Sequence, residues 1–239
     1  MKVLVLTDNI YIFKRFKEIV NSKDRNEIFF TYCCSPSSRD IFSLEDDVSV
    51  LDIKLEYESV IDEYDLVISC HCKKIFPKKL VTKLRCINIH PGLNPYNRGW
   101  YPQVFAINNK KPHGATIHVM DEAIDHGDII VQSKVNILSY DTSLSVYEKV
   151  VESEIELFDK EFDSIIDNSY IASPMEDEGN YNGISDFKNL CKLDLSNVGT
   201  LGEHIDLLRS LTHGTYKNGY FIDSEGEKIL ISISLIKEG

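Results

Sequence analysis

No glycine-rich turn follows the first hydrophobic run of this chain. Residues 2–7 lead directly into Thr7-Asp-Asn-Ile-Tyr-Ile12, which contains no glycine. A dinucleotide-binding turn needs glycines so that the backbone can approach a pyrophosphate closely, so this stretch argues against an NAD role. Positive charge is also scarce. There are 26 Lys and Arg against 38 Asp and Glu, for a net charge of -12. Nucleic-acid binding draws heavily on neutralising phosphates, and this balance does not favour it. The densest basic patch (Lys73, Lys74, Lys78, Lys79, Lys83 and Arg85) reads as a solvated helix face. No apolar run approaches the roughly 20 residues that span a bilayer, so no membrane partner is expected. The first seven residues are too short for a signal peptide and lack a small-residue cleavage site. They read as a core strand of a cytoplasmic protein. Cys33-Cys34 and Cys70-His-Cys72 lack zinc-site spacing, so no metal is expected and the six cysteines read as reduced thiols. No internal repeat or low-complexity segment is visible.

What is present is an alternation of strand and helix signals over the first two thirds of the chain. Strands are expected at 2–7, 28–34, 49–54, 65–70 and 86–90, then at 114–120 and 128–137. Helices are expected at 10–22, 78–84 and 100–109. Leu144, Tyr147, Val151, Ile155, Phe158, Phe162 and Ile165 recur at three- and four-residue spacing and predict a long amphipathic helix over 143–168. The pattern implies an α/β fold, a mostly parallel sheet with helices on both faces. A polar stretch at 173–184 reads as a linker. It divides a catalytic domain (1–172) from a small region (185–239) with a helix at 199–212 and a hairpin of 216–223 and 228–236.

Residues 86–132 carry the chemistry. Cys86-Ile-Asn-Ile-His-Pro-Gly92 reads as a buried strand stopped by Pro91 and Gly92. Alternation puts Asn88 and His90 on one face, roughly 7 Å apart, at the strand's carboxyl end. Ligands of open α/β sheets bind at such ends. Downstream, Thr116–Met120 reads as a strand leading to a loop with Asp121, Glu122 and Asp125, where Gly127 permits a tight turn. An amide, an imidazole and a carboxylate suit acyl transfer to an amine. The imidazole accepts a proton, the amide N–H stabilises an oxyanion, and the carboxylate holds the charged imidazole. An unperturbed histidine titrates near pH 6.5, so the rate is expected to rise through that range. His118 reads as structural.

Asn-x-His-Pro-Gly-Leu-x-Pro at 88–95, followed by Gly-x-Thr-x-His-x-x-Asp-x-x-x-Asp-x-Gly at 114–127, resembles the folate-dependent formyltransferase family. The resemblance implies a Rossmann-like formyltransferase fold, N10-formyltetrahydrofolate as co-substrate, and Asn88, His90 and Asp125 as catalytic residues. It implies folate contacts from Lys73, Ile75 and Phe76 after the fourth strand, and from Met120, Asp121 and Glu122 before the catalytic Asp. The tail resembles the start of the C-terminal domain of longer relatives, but only two strands fit, so no closed barrel is expected. The segment Asn94-Pro-Tyr-Asn-Arg-Gly-Trp100 is similar to that of bacterial sugar N-formyltransferases. It implies a dTDP-amino-6-deoxyhexose as acceptor, most simply dTDP-4-amino-4,6-dideoxyglucose for O-antigen synthesis, with a 3-amino sugar as the alternative. Asn9, Asn94, Tyr96, Arg98 and Trp100 form the substrate-binding set, Arg98 on pyrophosphate and Trp100 on base or sugar. The rivals are hydrolysis of formyltetrahydrofolate and a non-catalytic nucleotide-sugar or folate binder. The hairpin is apolar on both faces (Ile229, Leu230, Ile231, Ile233, Leu235 and Ile236), which predicts a homodimer formed through it.

Overall fold

The computed structural model of the protein describes residues 1–238. The first half alternates strand and helix: Lys2–Thr7 (β1), Ile10–Ser22 (α1), Phe29–Cys34 (β2), Val48–Val50 (β3), Ile53–Glu63 (α2), Leu66–Cys70 (β4), Lys78–Lys83 (α3) and Arg85–His90 (β5). Then come Arg98–Gly99 (β6), Pro102–Asn109 (α4), Gly114–Val119 (β7), Ile129–Lys134 (β8) and Ser143–Ile166 (α5). The last part holds Tyr181–Asn182 (β9), Ile184–Cys191 (α6), Leu201–Leu211 (α7), Thr212–His213 (β10), Tyr216–Lys217 (β11), Gly219–Ile222 (β12) and Lys228–Ile231 (β13).

Seven strands form one sheet in the order β3-β2-β1-β4-β5-β7-β8. The pairs from β3 to β5 are parallel, and β7 and β8 are antiparallel additions. The mostly parallel α/β sheet read from the sequence is borne out. Leu66–Cys70 is buried throughout, as a parallel strand covered on both faces must be. One face packs on α1 and α5 through Phe13, Phe16, Ile155, Phe158 and Phe162. Phe16 stacks on Phe158 with ring centroids 4.1 Å apart. The other face packs on α2 and α3 through Ile53, Val60 and Leu80. The strand order reverses between β1 and β4, so a crevice opens at their carboxyl ends, beside the end of β5.

Several boundaries depart from the sequence reading. The strand expected at 49–54 is only Val48–Val50, because Asp52 caps a helix, accepting from the Lys54 N–H at 3.1 Å. That helix, α2, was missed, since it buries only Ile53 and Val60. The 173–184 stretch is not a free tether. Tyr181–Asn182 pairs in parallel with Arg98–Gly99, Ser173 bridges Ile129, and Ile184 begins α6. The expected hairpin forms from shorter strands, Gly219–Ile222 with Lys228–Ile231, while Tyr216–Lys217 folds back on Thr212–His213 instead.

The C-terminal region is anchored against the sheet domain. Cys191 and Leu211 pack on Val104 of α4. Buried Arg209 donates to the carbonyls of Leu138 (3.0 Å) and Asp141 (2.7 Å), just before α5. Thr200 caps α7 reciprocally with Glu203.

Candidate active site

Asn88 and His90 lie at the carboxyl end of β5, in register with His118 and Thr116 of β7. The loop after β7 returns Asp125 to them. Its turn is forced by a close approach, since a Cβ on Gly127 would sit 1.8 Å from the Val119 carbonyl oxygen. Asp125 has φ 50, a left-handed conformation that Asp adopts more readily than most residues. Its Oδ1 accepts from Asn88 Nδ2 at 3.0 Å and lies 3.5 Å from His90 Nδ1. Its Oδ2 accepts from the Gly99 N–H at 3.1 Å.

His118 completes the cluster. Its Nδ1 is 2.8 Å from the Val119 carbonyl, which can only accept, so Nδ1 carries the proton. Nε2 is then the acceptor, 3.3 Å from Asn88 Nδ2. Both N–H groups of Asn88 are therefore engaged, by Asp125 and His118. Among the described residues its carbonyl oxygen has no partner. This differs from the expected oxyanion role for the Asn88 N–H. His118, read from the sequence as structural, stands within this cluster.

Burial works against charge on His90, and His118, His71 and Arg98 add to this against the pull of Asp125. The result is a pKa of about 4. Burial would raise Asp125, but His90, His118 and the Gly99 N–H outweigh it and hold the carboxylate at about 2. At neutral pH the pair is a neutral imidazole facing a carboxylate. His90 Nε2 is buried without a partner among the described residues. It faces Gly92, where a Cβ would come within 2.4 Å of it.

These groups line a cavity of about 750 Å³. One wall holds all six residues of the expected folate set. Lys73, Ile75 and Phe76 come from the segment after β4, and Met120, Asp121 and Glu122 from the loop after β7. The Lys73 N–H donates to Asp8 Oδ2 at 2.8 Å, which ties the first segment to the end of β1, and Glu122 pairs with Lys78 at 2.6 Å, which ties the second to the start of α3. The lining also holds an aromatic group, Trp100, Tyr101, Tyr181 and Phe187. The ring centroids of Tyr101 and Phe187 are 4.2 Å apart.

Of the expected substrate set, Trp100 alone lines this cavity. Arg98 is buried and donates to the carbonyls of Ile124 (3.2 Å) and Glu178 (3.0 Å). It supports the Asp125 loop rather than facing a pyrophosphate. Asn94 is 3% exposed and donates to the Asp125 carbonyl at 2.9 Å, so it too acts from behind. Asn9 caps α1, accepting from the Tyr11 and Ile12 N–H groups, and donates to Tyr147 Oη at 2.8 Å. Tyr96 packs beneath Lys111, outside the cavity lining. Each of these groups finds a local partner in the fold, which its place in the motif did not reveal.

The sequence reading missed His71 and Tyr147 on the cavity wall, and Ser143, His213, Tyr216 and Asn218 beside them. Only His71 left a signal, as a polar residue at the carboxyl end of an apolar strand. Cys70, His71 and Glu154 bring possible metal-ligand atoms within 4.8 Å of one another, but His71 Nε2 is already bonded to Glu154 at 2.7 Å. Among the described residues no helix is long and apolar enough to cross a membrane.

Residues 48–161 match the family model for formyl transferase, and residues 186–237 match that for the N-formyltransferase dimerization C-terminal domain. The dTDP-4-amino-4,6-dideoxyglucose formyltransferase of Mycobacterium tuberculosis H37Rv is 44% identical over 187 residues, covering 78% of this chain and 80% of that protein. The crystal structure of a 4-N formyltransferase from Francisella tularensis is 50% identical, with a TM-score of 0.96 over 99% of this chain and 98% of the other. The formyltransferase PseJ from Anoxybacillus kamchatkensis was crystallised with UDP-4,6-dideoxy-4-formamido-L-AltNAc and tetrahydrofolate. It is 26% identical, with a TM-score of 0.63 over 79% of this chain and 89% of the other.

Proposed function

This chain belongs to the formyl transferase family, and from that premise we propose that it is a sugar N-formyltransferase acting on dTDP-4-amino-4,6-dideoxyglucose. The observation that carries the reading is the meeting of Asn88, His90 and Asp125 in a cavity lined by the expected folate set and an aromatic group. The 4-amino assignment is favoured over the 3-amino sugar by the 44% identical relative and the 50% identical structure.

N10-formyltetrahydrofolate supplies the activated one-carbon group. Ile75, 60% exposed, and Met120 offer apolar surface to a flat ring system, and the backbone of the two segments offers hydrogen-bonding groups to its edge. Asn88 Oδ1 accepts from the incoming amine and aims its lone pair. His90, neutral at working pH, takes the proton that the amine nitrogen sheds on attack. As imidazolium it faces the charge developing on the formyl oxygen and is stabilised by Asp125. It then returns the proton to the leaving nitrogen. Trp100, Tyr101 and Phe187 stack against the nucleotide and cover the sugar.

The same reading extends to a homodimer of two C-terminal regions. Ile229 and Leu230 are exposed on a two-stranded hairpin whose partner strand packs on α6 and α7 through Tyr220, leaving their own side uncovered. The match of 186–237 to a dimerization domain supports this. A cytoplasmic site of action and a role in O-antigen assembly belong to the same proposal. Cell fractionation and lipopolysaccharide analysis of a deletion strain test both.

Incubation with N10-formyltetrahydrofolate and a panel of dTDP-amino sugars tests the activity. The expected result is a gain of one formyl group on the 4-amino-glucose derivative in preference to the 3-amino sugars. Formylation of the 3-amino sugars alone would reassign the acceptor.

A further inference from the structure

Formyl transfer to a sugar amine, the reading on which this inference rests, begins from an ammonium group near neutral pH and ends in an amide. One proton is released overall. His90 cannot account for it, because the proton it takes from the attacking nitrogen returns to the leaving nitrogen. The first proton, the one that makes the amine nucleophilic, needs another acceptor.

A second acid–base chain stands in the wall of the same cavity, at the topological switch point. His71 and Tyr147 line the cavity. His71 Nε2 is 2.7 Å from Glu154 Oε2, and the Glu154 side chain is fully buried. Glu154 Oε1 has no partner among the described residues. Tyr147 Oη is 3.3 Å from His71 Nδ1 and accepts from Asn9 Nδ2 at 2.8 Å. With Asn9 donating, the Tyr147 hydroxyl hydrogen goes to Nδ1, and His71 carries its own hydrogen on Nε2 toward Glu154. His71 holds this place with φ 55. A strained backbone of that kind at a cavity wall is a mark of functional constraint.

We propose that Tyr147, His71 and Glu154 form a proton relay that takes the first proton from the substrate's ammonium group. The ammonium N–H breaks as an O–H forms at Tyr147 Oη. The former Tyr147 hydroxyl proton passes to His71 Nδ1, and the Nε2 proton is shared with Glu154, whose carboxyl burial pushes up and so makes a better proton acceptor. The proton leaves to water once the amide has formed.

The groups facing this chain do not supply a rival cation. Cys70 of β4 is a buried thiol that burial keeps protonated. His90 of β5 is held low. His213 of β10 is turned to Ser143 Oγ at 3.1 Å, and burial lowers it. Asp8, at the end of β1, accepts from the N–H groups of Ser35 and Lys73.

Steady-state kinetics of Tyr147→Phe and His71→Gln from pH 6 to 9.5 test the relay, with thermal unfolding of each variant alongside. The expected result is a loss of kcat/KM of about tenfold to a hundredfold near pH 6.5. It should shrink to about twofold at the alkaline end, where an ordinary amine (pKa about 8) is already free. A loss of equal size at every pH marks the chain as merely structural and overturns the relay. So does unchanged activity of Tyr147→Phe at pH 6.5. Either result with an active wild-type enzyme overturns the relay alone. A wild-type enzyme inactive on every amino sugar overturns both the relay and the transferase reading.

Discussion

Asn88 donates to Asp125 at 3.0 Å across 37 positions of chain. The bond joins β5 to the loop after β7. It couples the amide to the carboxylate that also faces His90, and the cluster depends on close approaches at Gly92, against the His90 ring, and at Gly127, beneath the loop.

Gly92 is the first test of that dependence. A Cβ there would lie 2.4 Å from His90 Nε2 and 2.8 Å from Cδ2. The ring would have to shift from its present place beside Asp125. Gly92→Ala should lower kcat by at least about tenfold with little change in either KM, because small misplacements of a catalytic group are costly. Steady-state rates on a variant with a native circular dichroism spectrum check this. Wild-type kcat would show that the ring position is not critical.

Arg98 and Trp100 are two residues apart and should fail in different ways. Arg98→Ala leaves the Ile124 and Glu178 carbonyls without their donor, at a cost of about 1–3 kcal/mol. It also loosens the Asp125 loop, so both thermal stability and kcat should fall. Trp100→Ala should instead raise KM for the nucleotide sugar more than that for the folate, with stability nearly unchanged. A selective loss of folate affinity in Trp100→Ala would move the aromatic wall to the cofactor.

How much of this was legible in the sequence depended on whether a residue acts through its strand position or through a distant partner. β1, α1, β4, β5 and α5 followed from periodicity, since each buries a regular apolar face. Asn88 and His90 could be paired by strand alternation, whereas Asp125 was singled out among the loop carboxylates only by the family resemblance. The place of Arg98 could not be read. Nothing in its neighbours foretells that the pairing of β6 with β9 turns its guanidinium under the Asp125 loop. Tyr147 and Glu154 were hidden by the helix period. At three- and four-residue spacing Tyr147 reads as packing, and Glu154 as one more polar position. Only the docking of α5 on the sheet brings both to His71.

The titration of His90 should also differ from the simple sequence expectation. Burial lowers its pKa to about 4, against about 6.5 in the unfolded chain. Between those values the unfolded state binds more protons, so this part of the stability is complete above pH 6.5 and is lost as pH falls toward 4. The imidazole resonances of His90 should titrate below pH 5, and the unfolding midpoint of wild type should fall more steeply from pH 7 to 4.5 than that of His90→Asn. An NMR midpoint near 6.5 would contradict the buried, neutral state.

The dimer proposal is checked by light scattering at micromolar concentration. The full chain should have the mass of a dimer, and a Leu230→Glu variant, which places a charge on the exposed hairpin face, should shift toward monomer. A monomeric full chain would end the proposal.

In the proposed mechanism His90 and Asp125 drive formyl transfer to a sugar amine. Its most direct measurement is formation of N-formyl product from N10-formyltetrahydrofolate and dTDP-4-amino-4,6-dideoxyglucose, followed by mass spectrometry for wild type, His90→Asn and Asp125→Asn. Wild type should turn over, with each variant slower by at least about a hundredfold while nucleotide-sugar binding survives. Near-normal turnover by either well-folded variant would contradict it.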